Sequence, residues 1–224
     1  IDHRGHGRGL RSLSPFELHD VADDAAGVAR ELELGRVIAV GYSMGGPVAM
    51  HLTRRHPGQV AGLVVQGTAL EWRVKWHERL RWWLLPVAGV AMRSWAHPRL
   101  LRRAVERLLA DGSELAAHRD WLTAEALRNE PRVILEAGRA LSRHDARGWA
   151  GELDVPTGSL ITTRDRFVRP RKQRQLAHSL GAHVVEVPMD HLDGLDARSG
   201  FGMATVELVQ HVAAQVRSAD PVAP

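Results

Sequence analysis

The stretch from Val37 to Pro47 reads Val-Ile-Ala-Val-Gly-Tyr-Ser-Met-Gly-Gly-Pro, and it limits what the chain can fold into more than any other. Val37 to Val40 form a short apolar run of the kind that suits a buried strand. Gly-x-Ser-x-Gly then turns the chain sharply, and Val48-Ala49-Met50-His51-Leu52 has the composition of a helix. Strand, tight turn and helix in that order push a serine out at the carboxyl end of a strand. The N–H groups that open the helix favour negative charge beside it. Glycines at 41 and 45 are expected to remove side chains that would clash in so tight a turn. The flanks therefore mark Ser43 as a nucleophile, where a bare Gly-x-Ser-x-Gly would be a weak signal.

The surrounding pattern supplies the sheet that such a turn needs. Ser14-Pro15-Phe16-Glu17 reads as a helix start, with an N-cap serine, proline at the first helical position and glutamate at the third. Leu18, Val21, Ala22, Ala25, Val28, Ala29 and Leu32 continue it at three- and four-residue spacing as far as a glycine cap at Gly35. After the serine turn and its helix, His56-Pro57-Gly58 makes a break, and Val60 to Gln66 reads as a second buried strand. From Leu153 the alternation returns. Val155 to Thr162 is a strand, Pro170 to Leu180 a helix, Ala182 to Val187 a strand, and residues 203–217 a closing amphipathic helix. The tail from Ser218 to Pro224 is expected to fray. The fold class is thus α/β, a mostly parallel sheet flanked by helices.

Composition changes near residue 68. All seven tryptophans lie between Trp72 and Trp149, arginine and leucine crowd the same stretch, and β-rich runs nearly vanish. Helices are expected at roughly 71–85, 98–110, 113–127 and 131–143. The domain reading is a core of 1–67 and 151–224 with a helical cap or lid inserted at 68–150. Trp82 to Met92 is apolar all round, but it is too short to span a bilayer and is interrupted by Pro86 and Gly89. It reads as the floor of the lobe, with a substrate channel or an interfacial membrane contact as the sharper alternative.

Other chemistries are disfavoured. With no cysteine in 224 residues, thiolate nucleophiles, thiolate metal sites and disulfides are excluded. His3 and His6 sit in a glycine-rich loop without a set of carboxylates and histidines at ligand spacing, so no metal is expected there, and no cofactor is expected anywhere. The 30 basic and 26 acidic residues are interspersed, and the densest basic run, Arg164 to Arg174, holds one aromatic, so nucleic acid is not an expected partner.

Parallel strands end on one side, so the loops behind three strands can meet. Ser43 follows one strand, Asp165 a later one and His191 the next, in the chain order expected of a serine triad on such a sheet. His191 would take and return the serine proton, and Asp165 would hold the ring tautomer and stabilise the imidazolium. The Met44 backbone N–H would be one oxyanion donor. Among 13 histidines, His183 and His144 are the rivals for the base. Asp154, Asp190 and Asp193 are the rivals for the acid, but Asp154 precedes its strand and Asp190 adjoins the histidine.

Together these residues resemble the α/β-hydrolase superfamily. Asp2-His3-Arg4-Gly5-His6-Gly7 is similar to its Asp-x-Arg-Gly-His-Gly loop. Gly41 to Gly46 resembles its elbow, Thr163 to Val168 its acid loop, and Asp190-His191 its histidine loop. The resemblance covers about 1–67 and 151–217 and places a cap at 68–150. It also implies that the fold is N-terminally incomplete in this chain, with the first strands and the second oxyanion donor lying before Ile1. Serine at the elbow disfavours the aspartate-nucleophile dehalogenases and epoxide hydrolases of this fold. The expected activity is hydrolysis of a small, lipophilic carboxylic ester through an acyl-enzyme, and the expected location is cytoplasmic. Acyl transfer or C–C bond hydrolysis on the same triad, and a non-catalytic ligand-binding homologue, are the alternatives.

Overall fold

The computed structural model describes residues 2–73, 103, 118–129, 131–195 and 197–219. Helix α1 (Leu18–Glu31) leads into strand β1 (Val37–Tyr42), helix α2 (Gly45–Arg55) and strand β2 (Val60–Gln66). Helices α3 (Arg119–Leu127) and α4 (Pro131–Arg143) follow. Then come β3 (Thr157–Thr162), α5 (Pro170–Ser179), β4 (His183–Val187) and α6 (Phe201–Ala219). The strands pair in the order β1-β2-β3-β4, all parallel. Val40 lies opposite Val64, Val64 opposite Gly158, and Leu160 opposite Val185.

All seven residues of β2 are buried, as expected of a parallel strand covered on both faces. Alternation sorts them. Gly62 and Val64 face α6: a side chain at 62 would strike Val212, and Val64 packs with Leu160, Val187, Met189, Leu208 and Val212. Gln66 continues that face and donates from Nε2 to Thr205 Oγ1 at 2.7 Å. This α6 layer packs against the sheet, from whose carboxyl edge the loops bearing Ser43, Asp165 and His191 leave.

By compactness the chain divides into two units, residues 1–17 with 73–143 and residues 18–72 with 144–224. In the first unit the Gly7 N–H donates to Asn129 Oδ1 at 3.1 Å, and a side chain at Gly5 would strike Val133. In the second, Glu71 and Asp145 form an antiparallel bridge, and Lys172 Nζ pairs with Glu71 at 2.7 Å.

Several local expectations are corrected. The first helix begins at Leu18, not at a Ser14 cap. The groups of the capping box have tertiary partners: the Phe16 N–H donates to Glu136 Oε2 at 3.2 Å, and Glu17 accepts from Arg143 at 2.5 Å. The far end of its stripe is not core, since Leu32 is 63% exposed. Glu71 forms a bridge and Trp72 a bend, so the helix expected at roughly 71–85 does not start at 71, and residues 74–85 lie outside the described residues. Ser218 and Ala219 belong to α6. The helix expected at 98–110 and the apolar segment Trp82–Met92 lie outside the described residues, apart from Arg103.

Candidate active site

Ser43 follows β1 directly and has φ 53°, the left-handed region that a non-glycine residue enters at a cost of order 1–3 kcal/mol. Close packing holds it there. The Ser43 N–H donates to the Gln66 carbonyl at 2.9 Å, and its own carbonyl accepts from the Gly46 N–H at 3.0 Å. A Cβ at Gly41 would lie 2.1 Å from the Gly45 carbonyl oxygen, so glycine is required at 41. The same is not true of Gly45, whose Cβ would meet nothing within 4 Å. The second tight position is Gly46, where a side chain would strike Thr68 at 2.4 Å. The turn presses the backbone of 45 against 41 and sets the Cα of 46 against Thr68, just beyond β2, which periodicity alone does not reveal. Met44 is the N-cap of α2, so its N–H belongs to the helix opening, where no intrahelical acceptor exists.

His191 opens the turn behind β4 and reaches both neighbours. Its Nδ1 lies 2.7 Å from Asp165 Oδ2 and its Nε2 2.9 Å from Ser43 Oγ. A carboxylate only accepts, so Nδ1 carries the hydrogen and Nε2 is left to accept the Ser43 hydroxyl proton. The Asp165 side chain is fully buried and that of His191 is 11% exposed. Asp165 sits in the loop behind β3, inside a set of donors. Oδ1 accepts the Phe167 and Val168 N–H groups, each at 2.8 Å. Oδ2 accepts the Thr162 hydroxyl at 2.8 Å and Gln173 Nε2 at 3.3 Å, besides His191. Burial pushes this carboxyl up, but the hydrogen bonds from His191, Val168 and Thr162 and the His191 charge outweigh it, and the net shift is downward.

The rivals stand elsewhere. His183 stacks on His211 with centroids 3.8 Å apart, at the amino end of β4. His144 is buried against His51 and Trp149, and burial lowers its pKa to about 4. Asp190 pairs with Arg166 and accepts the His191 N–H at 2.6 Å, so it shapes the loop rather than facing the ring. Asp193 accepts the Asp190 N–H at 2.7 Å, and Asp154 precedes β3.

Sequence reasoning missed Thr162 and Gln173. Gln173 is buried, takes the Thr162 N–H on Oε1 at 2.9 Å, and donates to Thr162 Oγ1 at 2.8 Å and the Val168 carbonyl at 2.7 Å. The available signal was a polar residue within the apolar spacing of Gln173, Leu176 and Ala177 on α5 and Leu180 at its C-cap. His3 and His6 meet only edge to face, with centroids 6.5 Å apart. Among the described residues no group of three or more His, Asp or Glu side chains could hold a metal ion, and no helix is long and apolar enough to cross a membrane.

A parallel sheet flanked by helices, with a left-handed serine between β1 and α2, is the arrangement of the α/β-hydrolase superfamily. Residues 1–190 match the profile of the family described as "Serine aminopeptidase, S33", and the chain belongs to that family within the superfamily. It is 29% identical over 218 residues to a pimeloyl-[acyl-carrier protein] methyl ester esterase from Chromobacterium violaceum, covering 92% of this chain and 81% of that protein. A 2-(acetamidomethylene)succinate hydrolase from Mesorhizobium japonicum is 36% identical over 64 residues, 29% of this chain and only 23% of that protein. Among solved structures, an esterase from Exiguobacterium antarcticum superposes with a TM-score of 0.79 at 20% identity, covering 93% of this chain and 80% of that one. That likeness is one of fold.

Proposed function

We propose that the chain belongs to a serine hydrolase that cleaves a carboxylic ester, with Ser43 as nucleophile, His191 as general base and acid, and Asp165 as its orienting carboxylate. The observation that carries this reading is the unbroken hydrogen-bond chain from Ser43 Oγ through His191 to Asp165. The proton on Ser43 Oγ passes to His191 Nε2 as the oxygen attacks the ester carbonyl carbon. The tetrahedral oxyanion is held by the Met44 N–H at the opening of α2. Collapse breaks the bond to the alcohol oxygen, which leaves with the proton from Nε2, and the acyl group stays on Ser43. Water then attacks with the same base, releasing the acid and restoring the serine. In this reading residues 68–150 form the cap insertion.

One feature supports an ester and a second supports an apolar acyl part. The Chromobacterium violaceum relative, aligned over most of both chains, is named a methyl ester esterase. Phe167, 62% exposed, stands with its ring centroid 5.5 Å from that of His191 and offers an apolar face beside the base. The test is a p-nitrophenyl ester series from acetate to laurate, with Ser43→Ala alongside. The expected profile rises from acetate to intermediate chains and disappears in the variant. A maximum on acetate with steady decline would remove the lipophilic assignment, and hydrolysis retained by Ser43→Ala would remove the mechanism.

A further inference from the structure

Tyr42 precedes the nucleophile and is the last residue of β1, yet its side chain serves the base. Its hydroxyl donates to the His191 backbone carbonyl. Its ring stacks on the imidazole with centroids 5.0 Å apart and planes 25° from parallel. Phe201 closes the slot edge-on at 5.0 Å. A glycine makes room: a Cβ at Gly67 would lie 2.6 Å from Tyr42 Cε2. We propose that Tyr42 is a positioning residue that fixes His191 twice, the backbone through its hydroxyl and the imidazole plane through its ring, so that Nε2 stays on the Ser43 proton.

The need for such a residue follows from the hydrogen bonds. Asp165 and Ser43 fix the two nitrogens of the ring, but two in-plane bonds leave it free to rock about the line joining them. A stacked face stops that motion. His191 also sits on a short helical turn, His191–Leu195, behind an edge strand, where local order is easily lost. The bond to its carbonyl ties the turn to the strand that carries the nucleophile. An imidazolium formed during attack would lie against the π-face of Tyr42, an interaction that favours the charged ring. The phenol is held neutral, because burial first, and then the charges of Asp165, Asp190 and Asp193, push its pKa well above the ordinary tyrosine range.

This inference rests on the hydrolase reading for its kinetic arm and stands apart from it in its spectroscopic arm. Tyr42 is the one tyrosine in the chain, so tyrosinate absorbance on alkaline titration reads this residue alone. The expected midpoint lies above the ordinary value of about 10, with no transition in Tyr42→Phe. A midpoint at the ordinary value would mean that the phenol is not buried beside His191 and its neighbouring carboxylates, and would overturn the proposal. In the kinetic arm, covalent labelling by a fluorophosphonate is timed against pH for wild type, Tyr42→Phe and Tyr42→Leu. Tyr42→Phe keeps the ring and its stacking, so its folding is not at stake. Loss of one hydrogen bond should slow its labelling about three- to tenfold with little change in the acid limb of the pH profile. Tyr42→Leu, matched for folded fraction by thermal melt, should slow about 10²-fold and move the acid limb to lower pH, because the charged ring loses its π-face. Wild-type rates and limbs in both variants would overturn the positioning role. A folded wild type that takes no label would instead sink the hydrolase reading, and the titration would still decide whether Tyr42 is buried against the His191 turn.

Discussion

Replacing Asp165 with asparagine changes one carboxylate oxygen into an amide nitrogen at a point where every neighbour is a donor. The amide oxygen can face the Phe167 and Val168 N–H groups and keep both bonds. Its NH2 then faces the Thr162 hydroxyl, Gln173 Nε2 and His191 Nδ1, which all donate to the native oxygen. The threonine can rotate its hydrogen away, whereas the imidazole can adapt only by moving its proton to Nε2. That tautomer points a donor at Ser43 and cannot accept its proton. The loss expected from a misplaced tautomer is about 10⁴ in kcat. The unmatched donors cost about 1–3 kcal/mol of stability. In a chain of this size that lowers Tm by roughly 2–4 °C per kcal/mol, leaving a folded protein to assay. Single-turnover labelling by a fluorophosphonate at pH 7.5 reads the chemistry without a known substrate. An Asp165→Asn protein that melts cooperatively and still labels within about tenfold of wild type would refute the reasoning, because it would mean the carboxylate does not set the tautomer.

Other outcomes follow from the same geometry. Gln173→Leu should lower activity and Tm together, since it removes donors to Asp165, Thr162 and Val168 at once. Gln173→Glu should be worse still, as it sets a second carboxylate 3.3 Å from Asp165 Oδ2; paired melts and labelling rates check both. Gly41→Ala should give little soluble protein, because its Cβ would sit 2.1 Å from the Gly45 carbonyl, whereas Gly45→Ala, with open space around it, should express and label normally. His144 is buried with its pKa lowered to about 4, chiefly by burial and then by His51. The unfolded chain therefore takes up a proton near pH 6.5 that the folded chain refuses until about pH 4. Stability should therefore fall by on the order of 2–3 kcal/mol as pH is lowered from about 6.5 to about 4, and urea melts of His144→Phe should show a flatter dependence. Leu208→Ala, in the α6 layer, should cost about 2–5 kcal/mol with labelling of the remaining folded protein unchanged.

The strands were legible because apolar runs of four to seven residues between glycine and proline breaks have few other uses in a chain of this composition. Val60 to Gln66 falls where the run predicts, and Val37–Tyr42 begins where expected and carries on to Ser43. The meeting of Ser43, Asp165 and His191 was legible for a geometric reason, since all three follow parallel strands and so leave the same sheet edge. What sequence could not show was set by partners distant in the chain. Ser14 to Glu17 have the form of a capping box, but Glu136 and Arg143 take its groups. Glycines 45 and 46 look equivalent in the motif, yet only the contact with Thr68 tells which of them is tight. Tyr42 reads as the variable residue of Gly-x-Ser-x-Gly until its hydroxyl is found on the carbonyl of residue 191. Thr162 and Gln173 are ordinary polar residues until the buried carboxylate gives them a purpose.

The most direct measurement is to treat the folded protein with a fluorophosphonate at neutral pH, digest it, and locate the adduct by mass spectrometry. The account predicts one stoichiometric adduct on Ser43, abolished by Ser43→Ala and strongly slowed by His191→Ala. An adduct on a different serine, or none on a protein that melts cooperatively, would contradict it.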